Sequence, residues 1–152
     1  MKSFKRGIIV LITIGVIALT AALATGCSSA PKAVVLDGAD KDAVLAFSEP
    51  AADNLLTGLN AGDYVSFSRD FDDAMLKAID EKGFANLQSS IMPKIGKYLS
   101  RTVTSVEEVG EFYRLTYRGN FELDANVKVL LTFEKAEPHK VGGLFFTSDK
   151  LK

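Results

Sequence analysis

The stretch FYRLTYRGNFELDANVKVLLTFE, residues 112–134, decides the fold. Tyr113, Leu115, Tyr117 and Phe121 alternate with Phe112, Arg114, Thr116, Arg118 and Asn120. Val127, Val129, Leu131 and Phe133 alternate in the same way with Lys128, Leu130, Thr132 and Glu134. A period of two sends successive side chains to opposite faces, so each run reads as a half-buried strand with an apolar inner face. The Leu123-Asp124-Ala125 turn between them is short enough to make them antiparallel neighbours.

Outward from this hairpin the pattern repeats. A strand over Arg101–Val109 precedes it through Val109-Gly110-Glu111, and one over Lys140–Ser148 follows through Glu137-Pro138-His139. Gly142-Gly143 falls inside that last strand, where it reads as a bulge or bend. Upstream the period lengthens. Val44, Leu45, Ala52, Leu55, Leu56 and Leu59 form one stripe of an amphipathic helix over Lys41–Asn60, with Pro50 expected to break or kink it and Ser48 placed to cap a restart. Tyr64, Phe67, Phe71, Met75 and Ile79 continue through a second, broken segment, with Asp70, Asp72 and Asp73 placed to favour a helix N-terminus. Phe84, Leu87, Ile91 and Ile95 mark a third helix that Gly96 stops. The expected fold is α+β: three N-terminal helices packed on one face of a four-stranded antiparallel sheet.

The start of the chain has a different chemistry. Lys2, Lys5 and Arg6 precede a charge-free run from Gly7 to Gly26 that ends at Cys27, the sole cysteine. This order resembles a prokaryotic lipoprotein export signal: a basic segment, an apolar segment, then the small residues Ala24, Thr25 and Gly26 before the cysteine. Ala24 stands where leucine is usual, with Leu23 one place earlier. The resemblance implies that residues 1–26 are a signal and that Cys27 carries the lipid, with 27–40 as lipidated cysteine and tether and 41–152 as the folded domain. Within the tether Val34, Val35 and Leu36 interrupt the polar composition and read either as plain linker or as a short extended segment packed on the domain. An uncleaved transmembrane anchor is the other reading, since about 20 apolar residues also span a bilayer. Either way the positive-inside rule places everything after Cys27 on the extracytoplasmic face of the cell membrane.

Without residues 1–26 the chain keeps 15 basic and all 19 acidic side chains, a net charge of −4. Nucleic-acid binding normally shows as a basic patch, and an acidic domain gives no reason to expect it. With the one cysteine assigned to the anchor there is no internal disulfide. Stability must come from a packed core, which roughly 110 residues can build.

Several spaced motifs then carry a wider resemblance. Gly62-Asp63-Tyr64, Phe67-Ser68-Arg69-Asp70-Phe71, Met75, Ile95-Gly96-Lys97-Tyr98 and Lys140-Val141-Gly142-Gly143-Leu144-Phe145-Phe146, with Ser148, Lys150 and Leu151, are together similar to an uncharacterised family of prokaryotic envelope domains. That family's fold belongs with the nuclear transport factor two-like superfamily, alongside the SnoaL-like proteins. The resemblance implies a cystatin-like conical roll, in which a curved four-stranded sheet wraps the helices around a pocket. It implies no established activity.

Enzymes on similar rolls place a carboxylate or histidine in that pocket for general acid–base work. None of the inward strand positions Tyr113, Leu115, Tyr117, Phe121, Val127, Val129, Leu131 and Phe133 is such a group. His139, the one histidine, reads as a solvated turn residue. Neither a G-x-S-x-G elbow nor a glycine-rich phosphate loop occurs. A lone histidine without a second histidine or free thiol is a poor zinc set, and Asp70, Asp72 and Asp73 lack the glycine and distal glutamate of a calcium loop. No catalytic residue, metal or cofactor is expected.

Three functions follow as expectations. The first is a non-enzymatic module that binds a small ligand or an envelope protein, with Tyr113, Tyr117 and Phe121 lining the pocket. The second is a weak lyase, isomerase or hydrolase whose carboxylates, such as Asp53 or Asp63, come from the helices. The third is a homodimer through the outer sheet face, marked by Phe112, Leu130, Leu144 and Phe146. Arg114 and Arg118, on that same outer face, read as solvated residues or as an anion or partner contact.

Overall fold

The computed structural model describes residues 31–152. Residues 1–26, read above as an export signal, and Cys27 lie outside the described residues. In chain order the elements are β1 (Ala33–Val35), α1 (Gly38–Ala61), α2 (Tyr64–Ser68), α3 (Asp73–Ala78), α4 (Glu81–Ile95), β2 (Tyr98–Val109), β3 (Phe112–Phe121), β4 (Val127–Glu134) and β5 (Val141–Thr147). A 3-10 turn over Asp149–Leu151 ends the chain.

The five strands form one open antiparallel sheet in the order β1-β2-β3-β4-β5, and the helices cover its inner face. The α+β class therefore holds, with four helices where three were expected and five strands where four were. The extra strand is β1, whose Ala33 and Val35 pair with Val109 and Glu107. With α1 beginning at Gly38, residues 33–40 belong largely to the domain.

Each inward position of the alternating stretch lies in the core or packs on it: Leu115, Tyr117, Phe121, Val127, Val129, Leu131 and Phe133 are buried and Tyr113 is half-buried. Helix α1 supplies the opposing layer through Val44, Ala51, Ala52, Leu55, Leu56 and Leu59. It runs through Pro50 without a break. Ala46, whose carbonyl a proline at position 50 leaves without its helical donor, is exposed to water, and buried residues on both sides of Pro50 hold the two halves in one helix. Ser48 is thus a buried mid-helix residue and not a cap.

Local chemistry explains the remaining helix boundaries. The side chains of Asp63, Asp72 and Asp80 accept from backbone amides of the first turns of α2, α3 and α4. Gly58 permits α2 to fold back onto α1: a Cβ there would lie 2.5 Å from the Phe67 amide nitrogen. Asn60 then clasps the start of β2, donating to the Tyr98 carbonyl at 2.7 Å and accepting from its amide at 2.8 Å. The link between α2 and α3 is stitched to β5, since Val141 donates to the Asp70 carbonyl and Asp72 to the Val141 carbonyl.

At β5 the register shifts. Thr132 pairs with Gly143 but Phe133 pairs with Val141, leaving Gly142 as the extra residue of a bulge. The bulge reverses the alternation. Leu144 and Phe146 face inward opposite Leu131 and Val129, correcting their expected outward placement, while Phe145 stands outward at 65% exposure.

Candidate ligand-binding site

Two constellations stand out, and both are built from α1, β2 and β3. The first is closed. Arg101 on β2 reaches under α1, where its Nη2 donates to the Glu49 carboxylate at 2.7 Å and to the Glu49 carbonyl at 3.1 Å. Its Nη1 donates to the Tyr98 hydroxyl at 3.0 Å and to the Asp53 carboxylate. The guanidinium carbon sits 5.3 Å from the centroid of the Tyr117 ring, a cation–π contact. Only 6% of the Arg101 side chain is exposed.

Burial works against the Arg101 charge, yet the Asp53 hydrogen bond and the Glu49 charge outweigh it and hold its pKa above the usual guanidinium value. Burial likewise pushes the Tyr117 hydroxyl above the ordinary tyrosine range, and the neighbouring Glu49 charge adds to the rise. Tyr117 Oη lies beside Glu49 and Ser48 without a well-formed hydrogen bond to either. This cluster is a strut that pins α1 to the sheet.

The second constellation is open. A cavity of about 670 Å³ lies between the first turns of α1, the β2–β3 end of the sheet and the β4–β5 turn. Three rings line it. His139 stacks on Phe47 with centroids 3.9 Å apart and planes 17° from parallel, and Tyr113 stands 6.0 Å from Phe47. Phe47 also meets Phe133 edge-on at 5.9 Å, which ties the cavity wall to the core. Asp40, Glu108 and Glu137 complete the lining together with apolar residues such as Leu36 and Val44.

His139 is therefore no solvated turn residue: 18% of its side chain is exposed. Its Nδ1 lies 3.1 Å from the Glu134 carbonyl and its Nε2 3.2 Å from a Glu137 carboxylate oxygen; both partners accept, so a neutral ring donates to only one of them. Its backbone has φ of 56°, the left-handed region that few non-glycine residues occupy. Such strain persists where surrounding contacts impose it, and here they are the ring stack and two polar contacts.

The expected pocket residues separate. Tyr113 lines the cavity, whereas Tyr117 and Phe121 are packed into the core beneath α1 and Tyr98. The helix carboxylates also find structural uses. Asp53 binds Arg101, and Asp63 caps α2 with its pKa lowered by hydrogen bonds from the Ser66 hydroxyl and amide. On the outer sheet face Arg114 pairs with Glu107, and Arg118 is exposed with no salt bridge among the described residues. Phe112 is 40% exposed, and the outward neighbour of half-buried Leu130 is Phe145. A smaller apolar groove of about 280 Å³ between α4 and β5 takes in Leu87, Ile91, Leu144 and Phe146.

Sequence reasoning missed Phe47, Glu108, Glu137 and the Arg101 strut. One signal was present: Glu49 and Asp53 stand four apart on α1, a spacing that presents two carboxylates to one cation. Among the described residues no three His, Cys, Asp or Glu side chains are grouped to hold a metal ion. No protein-family profile, curated protein or solved structure matches this chain, so its chemistry is read from its own side chains.

Proposed function

We propose that the chain is a lipid-anchored, extracytoplasmic binding module, a roll of the nuclear transport factor two-like kind, whose open end holds a small ligand. The observation that carries this reading is the cavity of about 670 Å³ walled by Phe47, Tyr113 and His139. Its volume and mixed apolar and polar lining suit a small molecule. The carboxylates that acid–base chemistry would have drawn from the helices, Asp53 and Asp63, are committed elsewhere.

The anchor supports the same reading. Strand β1 enters the sheet beside the β2–β3 turn, where Pro31 lies about 3.3 Å from a Cβ built on Gly110. Four peptide units separate Cys27 from Pro31, a reach of at most about 14 Å. The end of the domain nearest the lipid is thus the end that carries the cavity.

Native mass spectrometry of the full chain, purified from its own host in a mild detergent, tests both parts. The expected spectrum shows a diacyl mass that Cys27→Ala removes and a small bound mass that Phe47→Ala removes. A protein that carries neither mass overturns the proposal.

A further inference from the structure

We propose that the cavity takes an organic ammonium group, an inference that rests on reading this cavity as the binding site. Its lining residues include Asp40, Glu108 and Glu137; no lysine or arginine is among them, and Lys135 reaches Glu108 from outside that set. The faces of electron-rich rings attract cations, and carboxylates beside them add charge attraction, so an ammonium is favoured over an anion at the same place. Each carboxylate also has an ordinary local task. Asp40 sits in the first turn of α1, where it complements the helix dipole, Glu137 faces His139, and Glu108 binds Lys135. Those tasks do not explain why all three line one cavity walled by three rings.

An ammonium of the protein's own already meets two of the lining residues. Lys135 Nζ lies 2.7 Å from Glu108 Oε1 and 5.9 Å from the centroid of the Tyr113 ring. Both residues line the cavity, so the pair that binds Lys135 shows the chemistry the cavity offers a cation. The charge of Lys135 offsets only Glu108. Asp40 makes no salt bridge among the described residues and Glu137 meets only His139, so both can face a second cation. The volume exceeds what an ammonium headgroup fills, which leaves room for an attached chain. Two sources offer that chemistry: a soluble amine, or the amine headgroup of a membrane lipid brought near by the short link from Cys27 to the β2–β3 end.

His139 is the only histidine, so its imidazole signal is a single reporter inside the cavity. The full chain, labelled with carbon-13 at histidine Cε1 and held in a maltoside micelle that carries no ammonium, is titrated with choline and separately with 3,3-dimethylbutanol, its uncharged isostere. Choline is expected to shift the His139 signal saturably and to bind about tenfold more tightly than the alcohol. Asp40→Asn, a change at an exposed position, should shrink that ratio to about threefold. Equal shifts by both probes overturn the ammonium assignment while leaving the cavity a binding site. Nanodiscs distinguish the sources. A shift on replacing phosphatidylglycerol with phosphatidylethanolamine supports the proposal with a lipid ligand, and a choline shift that is the same in both discs supports it with a soluble one. No shift with choline, the alcohol or the ethanolamine lipid overturns both the ammonium assignment and the cavity reading.

Discussion

Tyr113 and Tyr117 stand four residues apart on the same face of β3, yet one is the wall of an open cavity and the other is sealed under a guanidinium. Helix α1 makes the difference. Ser48 and Glu49 lie beside Tyr117, while Phe47, one residue earlier, turns toward Tyr113 and leaves the space that His139 partly fills. Alternation along a strand assigns a side chain to a face. Whether that side chain becomes core or cavity depends on what another element, tens of residues away, sets over it.

The contrast breaks if the two tyrosines respond alike to truncation. Tyr117→Ala removes a fully buried ring and should cost about 4 kcal/mol, the range for large aromatic truncations in cores. Tyr113→Ala removes a half-buried ring at a cavity wall and should cost about 1 kcal/mol, read by urea denaturation of both variants beside the parent. Next in size is the strut itself. Arg101→Ala strands the partly buried Glu49 carboxylate, and a loss of about 3 kcal/mol is expected, the lower end of what breaking a buried pair costs because Asp53 and part of Glu49 still reach water. Arg101→Lys should recover less than half of it, since an ammonium cannot reproduce the planar fork that serves Glu49, Asp53 and Tyr98 together.

A pH series sharpens the comparison without removing any contact. The folded chain keeps Tyr117 protonated where the unfolded chain ionises it, because burial and the Glu49 charge raise its pKa. Stability from this group is therefore intact below about pH 10, the ordinary tyrosine value, and falls as pH climbs above it toward the folded value. Thermal melts between pH 8 and 11 should show that decline in the parent and a flatter profile in Tyr117→Phe. An unchanged slope in the variant would show that Tyr117 does not cause the decline.

What the sequence displays and what it conceals divide along the same line. Every inward position of residues 112–134 was legible because period two is a local property, and the bulge at Gly142 was legible because the two glycines announce it. The consequence of that bulge was harder to see: one extra residue flips all that follows, exchanging Phe145 for Leu144 and Phe146 on the outer face. Strand β1 was half legible: Val34 and Val35 interrupt a polar stretch, but the partner more than seventy positions away that makes these exposed residues a strand is not written there. Glu49 and Arg101 are 52 residues apart, and the Phe47–His139 stack joins a helix to a turn across most of the domain. Residues that build both constellations are joined by tertiary contact, and the one local trace of those contacts is the four-residue spacing of Glu49 and Asp53 on α1.

The smallest expected effect tests whether His139 is held in place or merely nearby. His139→Ala removes the ring that covers Phe47 and should cost about 1 kcal/mol, the usual worth of such a ring pair. It leaves the left-handed backbone at φ of 56° in place, where alanine is strained much as histidine is. His139→Gly removes the same ring and also relieves that strain, at the expense of greater freedom in the unfolded chain. Glycine should therefore be the more stable of the two variants by a few tenths of a kcal/mol to about 1 kcal/mol, measured by chemical denaturation. If that order holds, the turn keeps its left-handed backbone even without the ring, and the cavity wall is preformed before any ligand arrives. If alanine equals the parent and glycine falls below both, the ring contributes nothing to the turn, and the contrast between a rigid strut and a built cavity wall fails at its weaker end.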